Sequence, residues 1–307
     1  MSRIRIATRG SELALAQARA IAARIEAALD AETELVIVTT AGDRIQDRPL
    51  ASLGGKGLFV KEIEDALLEG RADLAVHSAK DLPARTPAGL ALVAWPARED
   101  PRDALVARAR GARLATLPRG ARIGTGSVRR AAQLRALRSD LEIVPLRGNV
   151  PTRLRKLEEQ GLDAVVLACA GLTRLDLADR IDERIATDVL LPAVAQGTLA
   201  LEARADDPLA ARLAALSDAR AARSAAAERA FLARLEGDCN VPLAAFAEEE
   251  ADGALRVRGL VASLDGSVIV RGEARGTEAA STGFAAAERV LATGGAAVLA
   301  RARQALA

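Results

Sequence analysis

The chain has no tyrosine, one tryptophan, four phenylalanines, one histidine (His77) and two cysteines, Cys169 and Cys239. So few aromatic rings leave almost no platform for unpaired bases, which argues against recognition of RNA or single strands. The formal net charge of +2 gives no overall basic bias, so no nucleic-acid partner is expected. One histidine and two cysteines cannot assemble a His/Cys metal cluster or a disulfide framework, and no metal is expected. No uncharged apolar run reaches the roughly 18 residues that a membrane span needs. "MSRIRIATRG" passes straight into an amphipathic segment without a basic-then-apolar leader. The expectation is a cytoplasmic protein with no membrane partner. H-E-x-x-H and G-x-S-x-G are missing, and Gly54, Gly55 and Gly57 around Lys56 lack the phosphate-loop spacing.

What remains is an ordinary globular composition, 50% hydrophobic and 27% charged over 307 residues, long enough for two or three domains. "RIRIA" (3–7) alternates as a strand, and Ser11 is placed to cap a helix with apolar positions from Leu13 to Leu29. "ELVIVTT" (34–40) and "ADLAVHSA" (72–79) read as strands around a helix over 60–70. The alternation predicts an α/β lobe with much parallel sheet. Two prolines and a charge cluster in "WPAREDPRDALV" (95–106) mark a crossing into a second lobe, over about 105–190. "LPAVAQGTLALEAR" (191–204) returns the chain to the first lobe, so two crossings would leave a cleft between lobes. After a helix-rich stretch (208–235), alternating segments and two further helices predict a small α+β domain.

Chemistry-bearing residues collect where strands pass into helices. Asp81 follows Lys80 in "VHSAKDLP", at a strand end, where ligands of open α/β sheets bind. His77 reads as a satisfied structural residue and Asp81, taken alone, as a turn cap. "IGTGSVRR" puts Thr125, Gly126 and Ser127 ahead of Arg129 and Arg130 at a helix start. Cations there oppose the helix dipole unless an anion visits. "PLRGNVPTRLRK" repeats the device with Arg147, Thr152 and Arg153, and "ATRGSELA" supplies Arg9 and Ser11. Any one site could be solvated arginine, but three imply a cleft for a ligand with several carboxylates or phosphates. Cys169 reads as a buried filler in an apolar strand. Cys239, in the polar turn "EGDCNVP", does not, although its acidic neighbours disfavour a thiolate.

These segments, with "GGKGLFVKEIEDALLEG", "REDPRDAL" and "LEGDCNVPLAAFA", resemble the porphobilinogen deaminase (hydroxymethylbilane synthase) family over almost the whole chain. The resemblance implies three domains. Two are periplasmic-binding-protein-like lobes, over 1–98 plus 194–218 and over 99–193, and the third, 219–307, carries the cysteine. It also implies head-to-tail condensation of four porphobilinogen molecules with loss of ammonia, then hydrolytic release of hydroxymethylbilane, in tetrapyrrole biosynthesis. A dipyrromethane cofactor, joined by a thioether to Cys239, would prime the chain. Asp81 would be the catalytic acid/base. Ser11, Ser78, Lys80, Asp81, Thr125, Ser127, Arg129, Arg130 and Gly148 would hold the cofactor. Arg9, Ser11, Arg147, Thr152, Arg153, Lys56 and Phe59 would serve the substrate. The partner implied is porphobilinogen, bound by a monomer. A thioether anchor reacts only once, which suits the acidic setting of Cys239. Asp238, Asn240, Leu243 and Ala244 depart from the family's usual cysteine turn, Gly126 stands where many members have serine, and Pro151 often corresponds to glycine. A non-catalytic two-lobed anion-binding module is the alternative; Asp81 and the third domain favour the enzyme.

Overall fold

A computed structural model describes residues 3–44, 59–236 and 241–306, so Lys56 and Cys239 lie outside the described residues. Strand β1 (Arg3–Arg9) buries Ile4, Ile6 and Ala7 and leads into helix α1 (Glu12–Leu29). Ser11 caps that helix by accepting the Ala14 N–H at 3.3 Å. β2 (Glu32–Val38) is parallel to β1 over its whole length. The short helix α2 (Ala41–Arg44) follows it, and α3 (Lys61–Leu68) leads to β3 (Leu74–Ser78). β4 (Leu90–Ala94) and the returning β10 (Leu199–Arg204) complete a five-stranded sheet of order β2-β1-β3-β10-β4. α1 covers one face through Ala18, Ile21 and Ile25, and α3 covers the other through Ile63, Ala66 and Leu67.

The second lobe repeats the plan. Strands β5 (Asp103–Ala107), β6 (Arg122–Thr125), β7 (Glu142–Pro145), β8 (Ala164–Ala168) and β9 (Glu183–Ile185) form a sheet of order β7-β6-β8-β5-β9. Helices α4 (Val128–Leu137), α5 (Val150–Glu159) and α6 (Cys169–Thr173) follow β6, β7 and β8. The expected parallel sheet is interrupted once in each lobe. β10 runs against β3 and β4, and β5 runs against β8 and β9. Each is the first strand after a crossing, so each enters its sheet from the opposite end. Cys169 is fully buried but opens α6 rather than lying in β8, and burial pushes its thiol up to about 12.

The two crossings lie side by side. The Glu99 N–H donates to the Gly197 carbonyl at 3.1 Å, Arg98 Nε to the Gln196 carbonyl at 2.9 Å, and Gln196 Nε2 to the Pro101 carbonyl at 2.7 Å. Gly197 has φ of +89°, and a Cβ there would overlap the Glu99 carbonyl oxygen, so the close approach requires glycine.

Helices α7 (Pro208–Leu213) and α8 (Ala219–Arg234) are capped by Asp207 and Asp218. β11 (Leu243–Glu249), β12 (Leu255–Ala262) and β13 (Ile269–Gly276) form an antiparallel sheet, followed by α9 (Ala279–Val290) and α10 (Ala296–Leu306). Phe231 of α8 packs against Gly259, where any side chain would meet its ring. One apolar cluster joins this unit to Val60, Leu82 and Val194 of the first lobe, and a smaller one joins it to Ala132 and Leu191 of the second. No helix among the described residues is long and apolar enough to cross a membrane.

Glu228 of α8, fully buried, binds these parts together. It accepts from Arg98 Nη1 at 2.7 Å and Nη2 at 3.2 Å, and from the Ala195 and Ala247 N–H groups. Thus one carboxylate holds both crossings and β11. Glu228→Ala would leave a mostly buried guanidinium and two N–H groups without an acceptor. The expected loss of stability is about 3–5 kcal/mol in chemical denaturation; a loss under about 1 kcal/mol would show that Glu228 holds nothing.

Candidate active site

β3, β6, β7 and β8 end, and the reversed β5 and β10 begin, on the side where the two lobes face each other across a cleft. Behind β3, a 3-10 turn (Ala79–Asp81) is pinned to the returning crossing by the Ala79 N–H, which donates to the Thr198 carbonyl at 3.0 Å. Ser78 hydrogen-bonds the Gln17 side chain of α1 at 3.0 Å. Below it, His77 meets Glu202 of β10 at 2.9 Å, both buried, so the lone histidine is a satisfied structural residue. The turn then projects Lys80 and Asp81, neither of which makes a hydrogen bond or ion pair with a described residue. Asp81 is exposed and Lys80 half-buried.

The facing wall belongs to the second lobe. Asp103, at the start of β5, is fully buried between Arg129 and Arg130 of α4. Arg129 Nη1 and Nη2 reach its two oxygens at 2.7 and 3.2 Å. Arg130 Nε and Nη2 both reach Oδ1, at 2.9 and 2.7 Å, and Gln196 Nε2 joins them at 3.0 Å. Burial alone would raise the Asp103 carboxyl, but the two guanidinium groups hold it far below the usual carboxylate range. Arg129 also donates to the Leu191 carbonyl at 2.6 Å and Arg130 to the Val166 carbonyl at 3.0 Å. The cations at this helix start therefore meet an internal anion, Asp103, which sits unremarked within the charge cluster at the first crossing.

The lobes sense each other's charge. Burial lowers Lys80 to about 8, against the opposing pull of Asp81 and Asp103, and with a further push from Arg130 and Arg129. Burial likewise lowers Arg153 to about 10, with Arg130 and Arg147 adding to the effect and Asp81 opposing it. Lys80 and Asp81 of the first lobe thus lie within electrostatic range of Asp103, Arg129, Arg130 and Arg153 of the second. Five cations (Lys80, Arg129, Arg130, Arg147 and Arg153) share this region with Asp81 and Asp103. Among the described residues, Arg147 Nη1 and Arg129 Nε are buried without a hydrogen-bond partner, a costly state for a cation.

The smaller predicted residues serve their own turns. Thr125 Oγ1 accepts the Ser127 N–H at 3.2 Å, and Ser127 caps α4 by accepting the Arg130 N–H at 3.4 Å. Asn149, not singled out by motif, caps α5 through the Thr152 N–H at 2.9 Å. Gly148 has φ of +117°, and its carbonyl accepts Arg153 Nε at 2.7 Å. Pro151 falls at the second helical position, where its missing N–H is one that the helix leaves unpaired. Gly126 is explained by space, because a Cβ there would overlap the Leu146 carbonyl oxygen. Arg9, at the end of β1, pairs with Asp43 and lies 4.1 Å from the Phe59 ring centre.

Residues 4–212 match the family described as porphobilinogen deaminase, dipyromethane cofactor binding domain, and residues 222–292 match porphobilinogen deaminase, C-terminal domain. The chain is 52% identical to the porphobilinogen deaminase of Syntrophus aciditrophicus over 95% of this chain and 96% of that one. It is 54% identical to that of a Roseiflexus species over 96% and 98% of the two chains. Among solved structures, it is similar to an ABC-transporter periplasmic substrate-binding protein from Coxiella burnetii, with a TM-score of 0.43 and 14% identity over 74% of this chain and 96% of that one. The two family matches, in order and over most of the sequence, make the chain a member of the porphobilinogen deaminase family.

Proposed function

We propose that the chain is a transferase that joins four porphobilinogen units head to tail with loss of one ammonia each, and that water then cleaves the bond to the primer to release linear hydroxymethylbilane, with Asp81 as its catalytic residue. The observation that carries this reading is an exposed carboxylate, Asp81, with no partner among the described residues and facing the arginines of the second lobe's wall. Each pyrrole brings an acetate and a propionate, so the substrate and its growing chain are anionic where the wall is cationic. Arg147 Nη1 and Arg129 Nε, without a partner among the described residues, suit such carboxylates, and the same donor set suits the carboxylates of a dipyrromethane group.

Asp81 would receive the pyrrole N–H and stabilise positive charge that develops on the ring as ammonia departs; a positioned carboxylate also serves as acid and base. Lys80, Arg147 and Arg153 would hold carboxylates and fix the ring against Asp81. Asp103 neutralises part of the charge of Arg129 and Arg130, so the wall keeps a positive excess without scattering the two side chains. When bound through Cys239, the dipyrromethane supplies the free pyrrole carbon that accepts the first unit. Ser11, Thr125, Ser127, Thr152 and Gly148 act here through the turns that aim the charged residues. The division into 1–98 plus 194–218, 99–193 and 219–307 is the proposed domain arrangement, supported by the three sheets. A cytoplasmic monomer is part of the same proposal.

Intact mass spectrometry should find a dipyrromethane-sized adduct on the native chain and none on Cys239→Ser; an active enzyme of unmodified mass would reject the anchor. Asp81→Ala should lose at least about a thousandfold in kcat while retaining the adduct, a loss at the upper range for general acid–base and electrostatic catalysis. Near-native turnover would remove Asp81 from the mechanism. Because Lys80 titrates near 8, its charge is present below that pH and lost above it. kcat/KM should therefore fall above about pH 8, and Lys80→Arg should carry that limb to higher pH; an unchanged profile would dismiss Lys80 as a carboxylate ligand.

A further inference from the structure

Arg9 is predicted to meet a substrate carboxylate, yet its charge is already engaged. Its Nε lies 3.1 and 3.2 Å from the two oxygens of Asp43, and Nη2 also bonds Asp43 Oδ1. The two side chains are 23% and 24% exposed, so the pair sits at the edge of solvent. Asp43 is itself fixed, since its Oδ2 accepts the Thr40 N–H at 3.2 Å and Thr40 Oγ1 at 2.7 Å. Thr40 is fully buried at the end of the β2 segment. Phe59 covers one face of the guanidinium, 4.1 Å from its carbon. The Phe59 ring rests on Gly42, where a Cβ would overlap it. Glu62 holds the same segment by accepting the Ala41 N–H at 2.8 Å.

A guanidinium has two edges that can grip a carboxylate, Nε with one Nη, or the two Nη groups together. Asp43 takes the first edge side-on, and Phe59 blocks a face. What remains is the end-on edge, whose Nη1 has no hydrogen-bond partner among the described residues. An acceptor that merely competed with substrate for Arg9 would not need to leave that fork open.

We propose that Asp43 is a positioning residue for the family reaction, holding Arg9 with its end-on fork presented to a carboxylate of the incoming pyrrole, and that Phe59 completes the clamp. The proposal rests on the functional reading above and adds residues that the motifs did not reveal as a unit. Burial pushes the Asp43 carboxyl up, but the bonds from Arg9 and Thr40 outweigh it and hold it below the usual range, so it stays ionised beside Arg9 at neutral pH. A fixed arginine loses less freedom on binding than a free one, and the gain falls on substrate affinity rather than on the chemical step.

The test is a double-mutant cycle on the holoenzyme, read by steady-state kinetics and by calorimetric binding of a pyrrole that keeps the acetate and propionate but lacks the aminomethyl leaving group. Asp43→Ala should raise KM and the dissociation constant of that probe about tenfold, with kcat within about threefold. Phe59→Leu, which leaves Asp43 in place, should shift both in the same direction by about threefold. In an Arg9→Ala background neither substitution should cost more affinity. Losses that add to that of Arg9→Ala would make Asp43 a general structural prop, and tighter binding in Asp43→Ala would make it a competitor; either overturns the proposal. If Asp43→Ala does not fold, Asp43→Asn and Phe59→Leu carry the same cycle. Absence of turnover in the unsubstituted holoenzyme, with coupled binding intact, would reject the functional reading and leave the clamp standing.

Discussion

Everything in the cleft depends on one buried carboxylate shared by two arginines. Asp103 stands at the first residue of β5, directly after the chain has crossed into the second lobe. Removing an acid and two guanidinium groups from water costs several kcal/mol for each ion. That cost is met only because their charges meet and their hydrogen bonds are made, to one another and to the Leu191 and Val166 carbonyls. Gln196, from the returning crossing, completes the set. The same contacts that give the cleft's second wall its positive charge therefore fix where both crossings lie. Glu228 does the equivalent work one layer away, tying those crossings to the C-terminal sheet.

This economy explains the plan of the two sheets. A strand that enters after a crossing comes from the side of the other lobe, so it runs against its neighbours. β5 and β10 are those strands, and each occupies the fourth place in its sheet. Asp103 and Thr198 lie at the points where they begin. The charged wall and the Asp81 turn are consequently both mounted on the crossings, which places them opposite each other.

Much of this was legible in the residues. The alternation of "RIRIA", the Ser11 cap and the helix over α3 follow from local patterning, because each buries a face whose period shows in the sequence. The arginines at helix starts and Asp81 at a strand end were also visible, since those positions are where open sheets bind ligands. The antiparallel strands were not, because a strand buried on both faces reads alike in either direction. Nor were the partners. Asp103 looked like one more charge in a polar cluster, yet it meets Arg129 and Arg130, 26 and 27 residues further along the chain. Asp43 meets Arg9 across 34 residues. Ion pairing between distant segments leaves no period and no motif. Gly126 is the converse case: a missing hydroxyl in the sequence is a missing volume in the structure.

The central claim is that units are added one at a time in the cleft where Asp81 faces the cationic wall. Its most direct measurement is the intact mass of the holoenzyme seconds after mixing with a few equivalents of porphobilinogen. The account predicts a ladder of protein species, each heavier by one porphobilinogen less ammonia, with released product appearing only after the ladder fills. Product formed while the protein stays at a single mass would contradict it.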